Sequence, residues 1–136
     1  MDRLHEHFFQ SPVPDYHLSL DEQQAILDIQ HSILEMVVSN RPDQEVFAEL
    51  CLMAESLLSN AVASIMMKQP AGHMDVLCAP SVPPAGQERL NGLIPSPVGG
   101  SCGNAVFCNE PIFVIDAAKD DRCGDTRDVF KEFGLS

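Results

Sequence analysis

The sequence predicts an α+β fold, and three observations support this prediction. Residues 20–39 and 43–59 repeat apolar side chains with the period of an amphipathic helix. The short apolar runs 61–67 and 74–79 flank a turn-forming Pro-Ala-Gly-His insert, which predicts an antiparallel hairpin. The stretch 94–116 then combines a glycine-bounded loop with a short helix and one more predicted strand.

Composition limits both the size of the fold and its partners. A chain of 136 residues with 45% apolar residues predicts one small globular domain. Eight basic and twenty acidic residues give a formal charge of −12, so nucleic acid and anionic membrane surfaces are not expected as partners. No apolar run approaches the about eighteen residues of a membrane span, and the first ten residues are too polar for a signal peptide. We therefore expect a cytoplasmic protein with no membrane insertion.

The N-terminal residues 1–18 lack sustained periodicity and predict a flexible arm, which leaves 19–136 as the folded domain. His5 and His7, with acidic residues beside them, offer possible metal ligands. A solvated tail explains the same residues more simply, so no metal site is predicted in the arm.

The first helix has a clear start in the sequence. Ser19 and Glu22 form a capping-box pattern, which predicts a helix from Leu20 to residue 39. Its first apolar stripe consists of Ile26, Ile29, Ile33 and Val37. A second stripe beside it consists of Leu27, Leu34 and Val38, with His31 in the gap. Two stripes exceed what one small core needs, so we expect a homodimer through this helix, as a parallel bundle or coiled coil, with His31 partly exposed in the seam.

Two further helices are predicted with defined ends. Asp43 and Glu45 suit the start of the second helix, which extends to about Ser59. Its apolar residues follow the spacing of a single buried face: Val46, Phe47, Leu50, Cys51, Ala54, Leu57 and Leu58. Asp125 is predicted to cap the last helix, and Gly134 is predicted to close it.

The glycine-bounded loop is the candidate functional stretch. Gly99 and Gly100 permit positive φ angles or close backbone approach, and Ser101 stands where the N-cap of a short helix is expected. The free N–H groups of that helix would favour an anion or a polar ligand. The run 112–115 predicts a buried strand that ends at Asp116. No lysine follows with P-loop spacing, which excludes a Walker-type nucleotide loop, and an ordinary turn is the alternative interpretation.

The connection before this loop, residues 80–93, is rich in proline and then polar. It predicts one or two helical turns around residues 87–91 and could act as a lid over the sheet.

The five cysteines are scattered, with no C-x-x-C pair, which argues against a disulfide framework and against a zinc module. Cys51 and Cys78 lie in apolar patterns and are expected in the core. Cys102 lies in the first turn of a predicted helix, where a thiolate is stabilised. A redox or metal role for Cys102, Cys108 and Cys123 is a minor alternative.

The motifs in their order resemble those of a GAF domain, the small-molecule sensory module of bacterial signalling proteins and of cyclic-nucleotide phosphodiesterases. The similarity spans about Gln24 to Ser136. The segments that carry it are Ala63–Met67, Gly99–Ala105, Glu110–Asp116, Asp120–Arg122 and Phe130 with Gly134–Leu135.

The resemblance implies a GAF/PAS-like antiparallel sheet with helices packed on one face and loops or short helices over the other. The helices would form the dimer, and the ligand would lie under the loops. By this match the ligand-binding residues are Met66, Cys78, Ser101, Cys102, Asn104, Asp116, Asp120, Arg122 and Phe130. Arg122 would offer charge to an anionic ligand or pair with Asp116 or Asp120, and the ion pair is the preferred interpretation.

The resemblance departs from the family pattern after Gly134 and Leu135, where at least two further strands are normally found. Without them, the strand 61–67 has an open edge and the strand 112–115 has no evident neighbour. We therefore expect a fragment that is incomplete at its C-terminus, or copies that complete each other by strand pairing.

The resemblance implies a non-enzymatic sensory domain that controls a cyclic-di-GMP cyclase, a cyclic-di-GMP phosphodiesterase or a histidine kinase. One alternative is a free methionine-R-sulfoxide reductase, because those enzymes resemble GAF domains and place Cys-Gly at the position of Cys102 and Gly103. Cys108 and Cys123 do not match the spacing of that family's other cysteines. A second alternative is a dimerisation scaffold with no ligand. The sequence identifies neither the ligand nor a cofactor.

Overall fold

The computed structural model describes residues 17–135 and shows an α+β arrangement, with five α-helices and a two-stranded antiparallel sheet in that range. The predicted arm 1–18 and the metal alternative at His5 and His7 lie almost entirely outside the described residues. The helices are α1 Leu20–Val38, α2 Asp43–Leu57, α3 Pro84–Leu90, α4 Gly100–Cys108 and α5 Arg127–Phe133. The strands are β1 Ile65–Lys68 and β2 Met74–Cys78, and a 3-10 turn covers Asp121–Cys123.

Helix α1 begins at the predicted capping box. The Glu22 N–H donates to the Ser19 hydroxyl oxygen at 3.2 Å, and the Ser19 N–H donates to the Glu22 carboxylate at 2.9 Å. These two bonds satisfy donors that a helix start otherwise leaves unpaired. The predicted helix 20–39 is therefore confirmed to within one residue.

The two faces of α1 differ in their surroundings. A short turn joins α1 to α2, and the two helices pack together as a helical hairpin. The half-buried positions form the face toward α2: Ala25, Ile26, Ile29, Ser32, Ile33 and Met36. No residue of α1 is buried, and the second predicted stripe is largely in solvent, with Leu27 57% and Leu34 64% exposed.

The single buried face predicted for α2 is confirmed only in part, because Val46, Phe47, Cys51 and Ala54 are buried or half-buried. Only Val46 and Cys51 are buried on this helix, and Leu50, Leu57 and Leu58 are exposed. Helix α2 packs against α1 and β2, and a sheet of two short strands is too narrow to cover the whole apolar stripe. The helix also ends at Leu57, two residues before the predicted end.

The predicted hairpin is confirmed, with a shorter first strand than expected. Met66 pairs with Val76 and Lys68 pairs with Met74 in antiparallel register. The turn is closed by the Gln69 N–H, which donates to the carbonyl of residue 73 at 2.7 Å. Strand β2 also meets Leu93, whose carbonyl accepts the Met74 N–H at 2.8 Å. Within the described residues, the other edge of β1 has no strand partner.

The predicted strand at 112–115 is wrong. These residues are not in a strand, Phe113 is largely exposed and Ile115 is fully exposed. A strand needs a neighbour for its backbone groups, and β1 and β2 pair only with each other in the described sheet. A hydrogen bond connects this run to the 3-10 turn, because the Arg122 guanidinium donates to the Phe113 carbonyl at 3.0 Å.

The three later helices lie close to the hairpin and to one another. Helix α3, predicted around residues 87–91, packs against β2 and α5, and an ion pair between Arg89 and Glu132 links α3 to α5. Helix α4 packs against the 3-10 turn.

Two predicted caps are wrong. Helix α4 has Gly99 rather than Ser101 at its N-cap, and α5 has Thr126 rather than Asp125, each without a side-chain cap bond. At Ser101 the helix has already begun, because Gly100 supplies the turn at positive φ. The predicted end of α5 is confirmed, since Gly134 is left-handed with φ +66°.

Candidate functional site

A cavity of about 380 Å³ lies beneath the diglycine turn at the start of α4. One wall comes from the segment between α2 and β1 and from Met66 of β1. The opposite wall comes from the first turn of α4 and from α5. Val82, Leu90 and Leu93 close the remaining side with apolar surface. The volume falls within the range of small-molecule sites in proteins.

The start of α4 depends on glycine at both positions of the diglycine turn. Gly100 has φ +72°, and a Cβ atom built there would lie 2.6 Å from the Thr126 hydroxyl oxygen. A Cβ atom on Gly99 would lie 3.0 Å from the Cα of Gly103 and 3.2 Å from the carbonyl of Ile94. Gly100 therefore lets the backbone of α4 approach Thr126 at the N-cap of α5, and Gly99 lets it approach the loop at Ile94. Gly99, Gly100 and Thr126 all line the cavity.

Four of the nine predicted site residues line this cavity: Met66, Ser101, Cys102 and Phe130. They come from β1, α4 and α5, three elements far apart in the sequence. The other five predicted site residues do not line it: Cys78, Asn104, Asp116, Asp120 and Arg122. The contacts of these five show what each does in the fold.

Asn104 is buried and acts as a bridge within the fold. Its side-chain amide donates to the carbonyl of Gly100 at 2.8 Å and to the carbonyl of Arg122 at 3.1 Å. Asn104 thus ties the first turn of α4 to the 3-10 turn, which keeps the diglycine turn in place. A buried amide with both bonds made stabilises one arrangement of these two segments.

Asp120 and Arg122 form an ion pair, which is the preferred interpretation of Arg122 in the sequence analysis. The Arg122 Nε donates to Asp120 Oδ1 at 2.9 Å, and a terminal guanidinium nitrogen donates to Oδ2 at 2.6 Å. The Arg122 side chain, followed by its backbone N–H, lowers the pKa of Asp120 to about 2. Asp116 pairs with Lys119 at 3.1 Å instead.

The Asp120 pair predicts a loss of stability in acid. Because the folded-state pKa of Asp120 lies below the ordinary value of 3.8, its stabilising contribution is full above about pH 4 and is lost as pH falls toward 2. We expect Asp120→Asn to unfold more easily than the parent chain at pH 7. The difference in the free energy of unfolding should shrink as pH falls toward 2, as measured by urea titration at each pH.

The matched control for this pH series is Asp121→Asn, which removes an exposed carboxylate from the neighbouring position. We expect it to leave the free energy of unfolding at pH 7 nearly unchanged. A difference between parent and Asp120→Asn that stays constant from pH 7 to pH 2 would contradict the assignment to this ion pair.

Glu55 connects α2 to the cavity wall. Its carboxylate accepts the Ala63 N–H at 2.9 Å and the Ser81 hydroxyl at 2.7 Å. The bond from the Ala63 backbone, followed by that from Ser81, lowers the pKa of Glu55 below its ordinary value. Helix α2 is thereby linked to the segment before β1 and to the loop that carries Val82.

The cysteines fall into two groups by exposure. Cys51 is buried, and burial together with the neighbouring Cys78 thiol raises the pKa of Cys51 to about 11. Cys123 is also buried, and burial raises its pKa. Cys102 and Cys108 are exposed, and only Cys102 lines the cavity. Cys78 of β2 does not line the cavity, and its thiol lies beside Cys51 of α2. It therefore belongs to the contact between α2 and β2.

Several cavity residues have no distinctive pattern in the sequence. Thr126 lines the cavity although the residue is only 3% exposed, and it was not singled out because a lone threonine before a helix has many ordinary roles. Val62, Val82, Leu90 and Leu93 also line the cavity. Their positions depend on how the hairpin, α3 and α4 pack, which no local pattern specifies.

Two further observations concern the described part of the chain alone. Residues 17–135 contain no group of three or more His, Cys, Asp or Glu side chains placed to hold a metal ion. None of the described helices combines the length and the apolar character that crossing a bilayer requires.

In comparisons with known proteins, no family model, no curated protein and no solved structure matches the chain.

Proposed function

We propose that this chain is a GAF-like regulatory module that binds a small molecule in the cavity beneath the diglycine turn. The cavity of about 380 Å³ is the observation that carries the proposal. Met66, Ser101, Cys102 and Phe130, which the resemblance names as ligand-binding residues, lie around it. Apolar walls with a few polar groups at one end are typical of ligand sites.

The cavity is connected to the helical hairpin through a short series of contacts. The Ala63 N–H beside the cavity binds Glu55 of α2, and α2 packs along α1. A ligand that orders the segment 60–64 would therefore change the packing of α2. In the proposed mechanism this change passes through α1 to an output domain, for which a cyclic-di-GMP cyclase, a cyclic-di-GMP phosphodiesterase and a histidine kinase are the candidates. Such a protein would act in the bacterial cytoplasm.

The outer face of α1 supports a homodimer in this proposal. Leu20, Leu27 and Leu34 are exposed and lie seven residues apart, which is the spacing of a coiled-coil seam. His31 and Val38, four residues after Leu27 and Leu34, lie on the same face of α1 and are also exposed. Such a seam can pair with the same helix of a second copy, because each leucine then meets the identical leucine of the partner helix.

The charges beside this seam favour a parallel dimer. One flank is acidic, with Asp21, Asp28 and Glu35, and the other flank is uncharged, with Gln23, Gln30 and Val37. In a parallel coiled coil each flank meets the opposite flank of its partner, so acidic residues face uncharged ones. An antiparallel pair would place the acidic flanks against each other, which is unfavourable.

A ligand screen tests the proposed function. We expect at least one member of a panel of nucleotides, amino acids and metabolites to raise the melting temperature of the full chain, since a ligand that binds only the folded state stabilises it. Native mass spectrometry of the purified protein would report the same molecule bound, together with the copy number. No stabilising compound and no bound molecule would remove the support for sensing.

An enzymatic alternative is favoured by one observation, the position of the exposed Cys102 at the cavity. As a free methionine-R-sulfoxide reductase, the chain would use this thiol as its nucleophile. An assay of the parent chain and of Cys102→Ser with methionine sulfoxide and a thiol reductant decides this point. Absence of activity in the parent chain excludes it. The scaffold alternative requires side chains to fill the cavity, and the open volume beneath the diglycine turn weighs against it.

A further inference from the structure

We infer that the cavity beneath the diglycine turn selects an uncharged ligand that carries an oxygen acceptor on an apolar body. This inference rests on the proposed ligand-binding function and specifies the chemistry of the ligand. It excludes the less favoured interpretation of Arg122, in which the guanidinium holds an anionic ligand.

The cavity wall contains no formally charged residue. Arg122 is turned to Asp120 and to the Phe113 carbonyl, Arg127 donates to the Asp120 carbonyl at 2.8 Å, and Arg89 pairs with Glu132. A carboxylate or phosphate would therefore lose its hydration without gaining a cation. The N–H groups at the start of α4 can bind either a neutral or an anionic oxygen. The missing cation and the net charge of −12 both penalise the anion, so these groups are expected to hold the neutral oxygen in preference.

A cationic ligand is disfavoured for the corresponding reason. No carboxylate lines the cavity, and Glu55, which lies next to the wall, already accepts bonds from Ala63 and Ser81. An ammonium group in the cavity would be desolvated without an ion partner. The uncharged wall thus disfavours both anionic and cationic ligands.

The polar end of the cavity consists of hydrogen-bond donors, three of which lack an acceptor. Among the described residues, the N–H groups of Gly100, Ser101 and Cys102 make no hydrogen bond, as expected for the first turn of a helix. Thr126 adds a hydroxyl at the same place, and its one bond is a long contact of 3.4 Å to the Cys123 carbonyl. Thr126 as a whole residue is only 3% exposed, so its hydroxyl has little access to water.

The remaining wall is suited to a hydrocarbon or an aromatic group. Val82, Leu90 and Phe130 face the cavity from the loop before α3, from α3 and from α5. A carbonyl or amide oxygen bound at the start of α4 would leave the rest of the ligand against these side chains. A neutral amide with an apolar chain therefore satisfies both ends of the cavity.

Three probes of equal chain length test this inference on the full chain: hexanamide, hexanoate and hexylamine. Binding is followed at pH 7.5 by the amide NMR signals of Gly100, Ser101 and Cys102. We expect hexanamide to shift these signals with an affinity about ten-fold or more above that of hexanoate and hexylamine, because the wall offers no cation to hexanoate and no carboxylate to hexylamine. Equal or tighter binding of hexanoate or hexylamine overturns the inference and leaves the proposed function intact.

A charge placed on the cavity rim provides a second measurement. Val62 lines the cavity and is 46% exposed, so a longer polar side chain can be accommodated there. We expect Val62→Lys to bind hexanoate about ten-fold more tightly than the parent chain does, and the neutral control Val62→Gln to show no such gain. If the lysine variant gains nothing, the missing cation does not explain the selectivity and the inference fails. Failure of all three probes also overturns it, whereas the proposed function falls only if the broad panel finds no ligand.

Discussion

Gly100→Ala is expected to destabilise the protein more than alanine at any of its other glycines. An alanine at φ +72° is strained, and its Cβ atom would lie 2.6 Å from the Thr126 hydroxyl oxygen. The backbone strain and the overpacking together should lower the free energy of unfolding by about 2–4 kcal/mol. Urea unfolding at neutral pH measures this loss.

Two variants separate the two causes of that loss. Gly134→Ala also places alanine at a positive φ, +66°, but its Cβ atom meets nothing within 4 Å, so it should lose only about 1 kcal/mol. In the double variant Gly100→Ala with Thr126→Ala, the clash is removed and the effects of the single variants should not add. Equal losses for the two glycine variants would contradict the contact between α4 and α5.

The elements with local determinants could be predicted from the sequence. Helix α1 has a capping box, and the hairpin has a Pro-Ala-Gly turn between two β-favouring runs, so both are found close to the predicted places. The run 112–115 has an equally strong strand composition but is not in a strand. Strand composition describes only the side chains, whereas a strand also needs a neighbouring backbone, and that neighbour is a property of the whole fold.

The cavity shows the same division between local and non-local information. Gly99 and Gly100 indicated a close backbone approach, and in the structure Gly99 lies against the carbonyl of Ile94 and Gly100 against Thr126. Arg122 and Asn104 were less predictable as site residues, because a polar residue beside a loop can bind either a ligand or its neighbours. Here both complete hydrogen bonds within the fold, and residues without a distinctive pattern, such as Leu93, supply the wall.

Replacing Leu27 and Leu34 with glutamate is expected to convert the proposed dimer to a monomer. Both side chains are exposed on the outer face of α1, so the substitutions should leave the fold of the single chain intact. In the dimer, each glutamate would face its own copy across the seam in a chain that already carries a charge of −12. We expect the dissociation constant to rise by at least about 100-fold, as measured by sedimentation equilibrium.

Leu52→Glu is the matched control for the dimer experiment, because Leu52 is an exposed leucine on α2 and lies outside the seam. Dissociation by this variant would indicate a wider apolar interface than the α1 seam.

The orientation of the two helices is tested with Gln24→Cys in a chain whose exposed Cys102 and Cys108 are changed to serine. Position 24 lies seven residues before His31 on the same face of α1. It meets its own copy only in a parallel, in-register pair, so a rapid disulfide across the dimer is expected. A parent chain that sediments as a monomer at about 100-micromolar concentration would contradict the dimer itself.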